Sequence, residues 1–265
     1  MTIAYFDCFS GICGDMILGA LIDLGVTVQE LKSDLQKLPL TGYDLKVTTA
    51  ERNHMRATDV MVVVEEQHHH RSYKDIIHLI DGSSLSGSIK TTSKDIFLKL
   101  AKAEGKIHQV PVERVHFHEV GAVDSIIDIV GAVIGLEHLS IDEIVCSPLP
   151  LGHGFVTCSH GIIPVPAPAT VELLENVPVY ATDREQELVT PTGAAIITTV
   201  AKQFGRMPPM NIHRIGYGSG KTPSDYPSLL RVFLGERLKQ EAVEYFGSFP
   251  LATILADTTS EKEQA

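Results

Sequence analysis

The apolar run Ile126–Leu136 constrains this chain more than any other segment. It is shorter than the roughly 18 residues that would suggest a membrane span, so it has to be hidden inside a folded core. Ile, Val, Gly and Ala dominate Ser125 to Leu139, which reads as a buried helix. The chain has 265 residues, enough for one large domain or two small ones with a real interior. Directly before this helix stands His116-Phe117-His118-Glu119-Val120-Gly121-Ala122-Val123-Asp124-Ser125. In an extended segment residues two apart face one way, so His116 and His118 share a side. Imidazole is the commonest side-chain ligand for borderline transition metals. Asp124 sits where a helix cap belongs, with Asp128 one turn on along the same face. The alternative reading of the histidines is a satisfied core pair.

The rest of the chain alternates strand and helix patterns, which predicts an α/β (mixed α+β) fold: a mixed sheet with covering helices. Ile3–Phe9 reads as a buried strand, Ser10–Gly14 as a turn, and Asp15 as the cap of a helix from Met16 to about Leu24. Further helices are expected over 28–38, 73–80, 92–106, 169–174 and 192–204, and strands within 43–64, over 144–150 and over 229–234. Asp81 to Ser88 reads as flexible, and Gly216 to Gly220 as a Gly-rich loop. The expected domain spans 1–240, with a flexible His-rich loop at about 65–72; the polar tail 241–265 is expected to be disordered.

Charge and cysteine usage narrow the function. The net charge is −11 with a pI near 5.5, which argues against a nucleic-acid binder and favours cations. Cys8, Cys13, Cys146 and Cys158 form no CxxC pair, so a zinc knuckle has no support. The N-terminus lacks the pattern of a signal peptide, so a cytoplasmic location with reduced thiols and no membrane partner is expected.

Several segments suit small charged ligands, each beside a plainer reading. The strand–turn–helix around Asp7, Ser10, Gly11, Gly14 and Asp15 can cradle a phosphate, with Asp7 holding a divalent cation; it can equally be a tight capped turn. His68-His69-His70, after Glu65-Glu66, can capture Ni2+, Zn2+ or Cu2+, or be a solvated loop. Thr192 and Gly193 open a helix whose N-terminus suits an anion. Gly216–Thr222 fails as a P-loop, because only three residues separate the first glycine from Gly220-Lys221 and prolines follow at 223 and 227. His153 and His160 lie in Gly-rich loops.

Taken together, these segments resemble the LarC family of nickel insertion proteins. The resemblance is carried by Tyr5–Gly11 with Gly14-Asp15-Met16, by His116–Ser125, by Pro164–Thr170, by Thr190–Ala195 and by Gly216–Gly220, in order over roughly residues 1 to 236. It implies insertion of Ni2+ into pyridinium-3,5-bisthiocarboxylic acid mononucleotide, completing the nickel-pincer nucleotide of lactate racemase, with CTP hydrolysis and Mn2+ or Mg2+. Nickel is then expected on His68, His69, His70, His116 and His118, and a ring proton is expected to leave to a base such as His118 or Glu119, with Asp124 and Asp7 as further catalytic candidates. The precursor's phosphate is expected at Ser10, Gly11, Gly14, Asp15, Thr192 and Gly193. Family members are usually longer, with a C-terminal domain that binds CTP. The implied partners are therefore that C-terminal LarC domain or a frameshifted product, and downstream the lactate racemase apoprotein. Cys13 stands where the family more often has Ser and is not expected to be a ligand. Two other function classes fit the residues: a non-catalytic nickel chaperone or store, and a metal-dependent phosphohydrolase built on Asp7, Asp15 and the histidine pair.

Overall fold

The computed structural model describes residues 1–65, 71–117, 122–158, 160–222 and 225–238. The chain opens with strand β1 (Thr2–Asp7) and helices α1 (Gly14–Asp23) and α2 (Val28–Leu35). A hairpin of β2 (Tyr43–Arg52) and β3 (Met55–Val64) follows, then α3 (Tyr73–Asp81), α4 (Gly87–His108) and α5 (Val123–His138). Next come β4 (Glu143–Cys146), β5 (Leu149–Leu151), the hairpin of β6 (Phe155–Cys158) and β7 (Gly161–Pro164), α6 (Pro168–Leu173) and β8 (Val179–Ala181). The described part closes with α7 (Pro191–Val200), β9 (Gln203–Phe204), β10 (Met210–Ser219) and β11 (Leu229–Arg237).

Seven strands form one mixed sheet in the order β2-β3-β10-β11-β1-β4-β9. β1 runs antiparallel to β11 and parallel to β4. Its alternation divides the interior. Ala4 and Phe6 enter the main core among the helices, whereas Ile3 and Tyr5 join Val145, Met210 and Phe233 in a small second cluster. The apolar helix α5 is buried along most of its length, as its composition requires. It packs against α1, where a Cβ at Gly131 would come within 2.9 Å of Leu18 and one at Gly135 within 3.0 Å of Leu21. No helix among the described residues is long and apolar enough to cross a membrane.

Several local expectations change: the segment 144–150 divides into β4 and β5 of separate sheets, and the helix expected over 192–204 ends at Val200, before β9. Gly216–Gly220 is not a loop: through Ser219 it is the end of β10, and its glycines let α1 lie directly on the sheet. A Cβ at Gly218 would sit 1.8 Å from the Met16 carbonyl oxygen, and one at Gly216 would sit 2.3 Å from that of Ala20. Asp15 and Asp124 are not caps: the helices start earlier, with Cys13 and Ala122 at the capping positions, and both acids lie in the first turn. There a carboxylate still faces the positive end of the helix. The segment before residue 92 is not wholly flexible either, because the Ser86 hydroxyl accepts from the Ile89 N–H and starts α4 at Gly87. The polar tail 241–265 lies outside the described residues.

Candidate functional site

The turn after β1 gathers the starts of α1 and α7 and one side of α5. Gly11 has a φ of +107, a conformation that favours glycine, and its N–H donates to the Cys8 carbonyl at 3.0 Å. Ile12 then straps the turn to the chain before α7: its N–H donates to Leu188 O at 2.9 Å, and its carbonyl accepts from Thr190 N–H at 3.2 Å. At the start of α7 the Thr190 hydroxyl accepts from Gly193 N–H, and a Cβ on Gly193 would lie 2.3 Å from the Ile12 carbonyl. α5 closes the third side, since a Cβ on Gly14 would lie 2.5 Å from a carboxylate oxygen of Asp128. The starts of α1 and α7 therefore meet at Cys13-Gly14, with the second turn of α5 packed beside them through Asp128, and the two helix starts concentrate partial positive charge there.

Acids collect at that point. Asp15 accepts from the Cys13 thiol at 2.6 Å through one oxygen, and the Lys221 ammonium lies 3.0 Å from the other. Burial, and then the neighbouring Asp15 carboxylate, push the Cys13 thiol well up, so it stays protonated and is a poor metal ligand. Burial alone would lower Lys221, but Asp15 and Asp128 outweigh it and raise the ammonium's pKa. Asp128 is pushed well above the carboxylate range by burial first and by Asp15 second. Its Oδ1 is sealed from solvent with no hydrogen-bond partner among the described residues.

A folded-state carboxyl pKa above the unfolded value contributes stability at acid pH that is lost as pH rises through the folded value. Asp128→Asn removes that loss. Its melting temperature is expected to match that of the parent near pH 4 and to exceed it increasingly toward pH 8. Melting curves across that range check this, and a gap independent of pH would contradict the buried, proton-holding Asp128.

A second cluster lies at the carboxyl end of the parallel pair β1 and β4, the edge at which open α/β sheets bind ligands. Asp7 accepts from Arg231 Nε at 3.0 Å and Nη2 at 2.5 Å, and the guanidinium lies over Phe9 and Phe233. Ser10, which is buried, accepts from Arg184 Nη1 at 2.6 Å, and that guanidinium stacks on Tyr226 at 4.3 Å. The site expected for a divalent cation at Asp7 thus already holds a fixed cationic side chain. Sequence reasoning missed Arg184, Arg231 and Asp128 as site residues. The two arginines come from a connecting segment and from β11, and an isolated arginine carries no spacing signal.

The histidine motifs fall mostly outside the described residues: His68, His69, His70, His118 and Glu119 all do. Their flanks are described, and they meet. Ser72 bridges His116 in antiparallel register, and Phe117 N–H donates to Arg71 O at 3.1 Å. His116 is exposed. Among the described residues, no three His, Cys, Asp or Glu side chains are grouped to hold a metal ion.

Residues 4–261 match the family model described as nickel insertion protein. The chain is 52% identical over 244 residues to a putative nickel insertion protein of Dictyoglomus thermophilum, covering 92% of this chain and 63% of the relative. It is 50% identical over 236 residues to a pyridinium-3,5-bisthiocarboxylic acid mononucleotide nickel insertion protein of Desulfitobacterium hafniense, covering 89% and 59%. A protein of the same description from Acetivibrio thermocellus is 48% identical over 255 residues. The chain spans about three-fifths of the length of these relatives. No solved structure matches it.

Proposed function

The chain belongs to the nickel insertion protein family, and from that premise we propose that it inserts Ni2+ into pyridinium-3,5-bisthiocarboxylic acid mononucleotide, acting with the further length present in its relatives. The product of this reading is the nickel-pincer nucleotide of lactate racemase. The observation that carries it is the meeting of the starts of α1 and α7 beside Arg184 and Arg231, a seat for the phosphate of a mononucleotide. In this reading the phosphate contacts Ser10, Gly11, Gly14 and Asp15 of the turn and of the start of α1, and Thr192 and Gly193 at the start of α7, which packs on that turn.

Nickel is substrate here. Imidazoles of His68, His69, His70, His116 and His118 hold it first, and the softer thiocarboxylate sulfurs then draw it away. The Phe117–Arg71 hydrogen bond supports one shared nickel site, because in sequence His118 directly follows Phe117 and His70 directly precedes Arg71. Closing the nickel–carbon bond releases a ring proton, which His118 or Glu119 accepts; Asp124, in the first turn of α5, stands close by in sequence.

CTP hydrolysis with Mn2+ or Mg2+ belongs in this reading to the further length of the relatives. Asp7 and Asp15 do not fit that metal, because Asp7 is held by Arg231 and Asp15 by Lys221. The same two pairings count against a metal-dependent phosphohydrolase.

Arg184→Ala tests the phosphate seat. A lost hydrogen bond to a charged group costs about 1.5–3 kcal/mol, which weakens binding of the precursor roughly ten- to a hundredfold. Titration calorimetry with the dithiocarboxylated mononucleotide measures this, and an unchanged affinity would remove Arg184 from the site.

A further inference from the structure

A cavity of about 230 Å3 opens between the C-terminal end of α4, the β6–β7 hairpin and the first residue of α7. Ile107, Ile163 and Pro191 give it apolar walls, and its polar groups are Glu104, His108, Cys158 and His160. The imidazoles of His108 and His160 stack with ring centroids 5.2 Å apart and planes tilted by 28°. Glu104 lies 3.3 Å from His108, and the Cys158 sulfur accepts from His160 N–H at 3.4 Å. The pocket therefore has an apolar body and one hydrogen-bonding rim, the arrangement that recognises a planar ring by stacking and its substituents by polar contact.

Size limits the ligand. A dry cavity of roughly 150 Å3 admits benzene, so this one holds a single substituted ring and not a whole nucleotide. A ribose phosphate attached to that ring has to lie outside. Pro191, which lines the cavity, is also the first residue of α7, and Thr192 and Gly193 follow it at the phosphate seat.

We propose that this cavity seats the pyridinium ring of the mononucleotide substrate, with the His108–His160 pair facing its acidic substituents. The assignment rests on the proposed nickel insertion reading and adds to it a ring subsite lined by residues that are not part of the histidine motifs. Imidazole N–H donors suit carboxylate or thiocarboxylate groups at the ring's edge, and stacked imidazoles extend the aromatic surface the ring lies on. A nucleobase offers the same flat shape without acidic substituents.

The test uses nicotinic acid mononucleotide, a pyridinium mononucleotide that needs no nickel, with cytidine monophosphate as the nucleobase arm. Titration of the full chain is followed by calorimetry and by the NMR signals of the His108 and His160 rings. Nicotinic acid mononucleotide is expected to shift both imidazoles and to bind at least tenfold less tightly to Ile163→Trp, which fills the cavity from a half-exposed hairpin position. His160→Ala, at an exposed position, is expected to weaken it in the same direction. Equal affinity in both variants overturns the ring seat, and so does a shift of these imidazoles by cytidine monophosphate in place of the pyridinium compound. Weakening in Arg184→Ala with none in Ile163→Trp removes the ring seat and leaves the phosphate seat standing. Nickel titration of the same samples reports separately on the histidine motifs, so failure of the pocket and failure of nickel capture are told apart.

Discussion

Gly218→Val is expected to leave the chain unable to fold, and Gly218→Ala to cost about 3 kcal/mol or more, the upper end for overpacking a core. The added Cβ would lie 1.8 Å from the Met16 carbonyl oxygen and 2.8 Å from the Ala20 nitrogen, both backbone atoms of α1. No rotamer change relieves such a contact; the helix has to lift off β10. Stability of a domain is of the order of 5–15 kcal/mol, so lifting the helix that also carries Gly14 and Asp15 removes much of it. Gly42→Ala is the control. It places a Cβ where nothing lies within 4 Å, so only its φ of +75 opposes the change. Urea unfolding of the two alanine variants measures the difference. Gly218→Ala within about 1 kcal/mol of the parent would mean that α1 does not rest on the strand as described.

The second large effect concerns nickel. Replacing His68, His69, His70, His116 and His118 together by alanine is expected to weaken Ni2+ capture at least a hundredfold. Loss of groups that merely support a metal ligand already costs about 10–100-fold, and here the ligands themselves go. Because Arg71 and Phe117 are hydrogen-bonded, the 68–70 and 116/118 sets are expected to act as one site. Removing either set should then cost nearly as much as removing both, the non-additivity of groups that share one ligand. Competition titration with a coloured chelator measures all three variants. Strictly additive losses would contradict a shared site, and unchanged affinity would remove the histidines from nickel handling.

What could be read in the residues, and what could not, divides along physical lines. α5 was legible because an apolar stretch too short for a membrane has one place to go. β1 followed by a glycine turn and a helix was legible because periodicity and punctuation agree there. Gly216–Gly220 misled because glycine permits both a loop and a close approach of backbones, and only the position of α1 decides between them. Asp15 and Asp124 look like caps, yet a carboxylate in the first turn serves the helix end nearly as well, so sequence alone does not separate the two. Arg184 reaches Ser10 across 174 residues and Arg231 reaches Asp7 across 224, distances over which no local pattern reports. Asp128 was visible as a neighbour of Asp124 on one helix face, but its burial beside Gly14 and Asp15 depends on the packing of α5 on α1.

In the proposed function this chain takes part in building a nickel–carbon bond on a pyridinium mononucleotide. Its most direct test mixes the chain with Ni2+, CTP, Mg2+ or Mn2+ and the dithiocarboxylated precursor, with and without the remaining length taken from a longer relative. Mass spectrometry then follows addition of one nickel with loss of the ring proton. The nickelated nucleotide is expected in the complete mixture, and is expected to disappear when Arg184→Ala or the histidine-free variant replaces the parent chain. A complete mixture that yields only unchanged precursor, while a full-length relative forms the product under the same conditions, would contradict it.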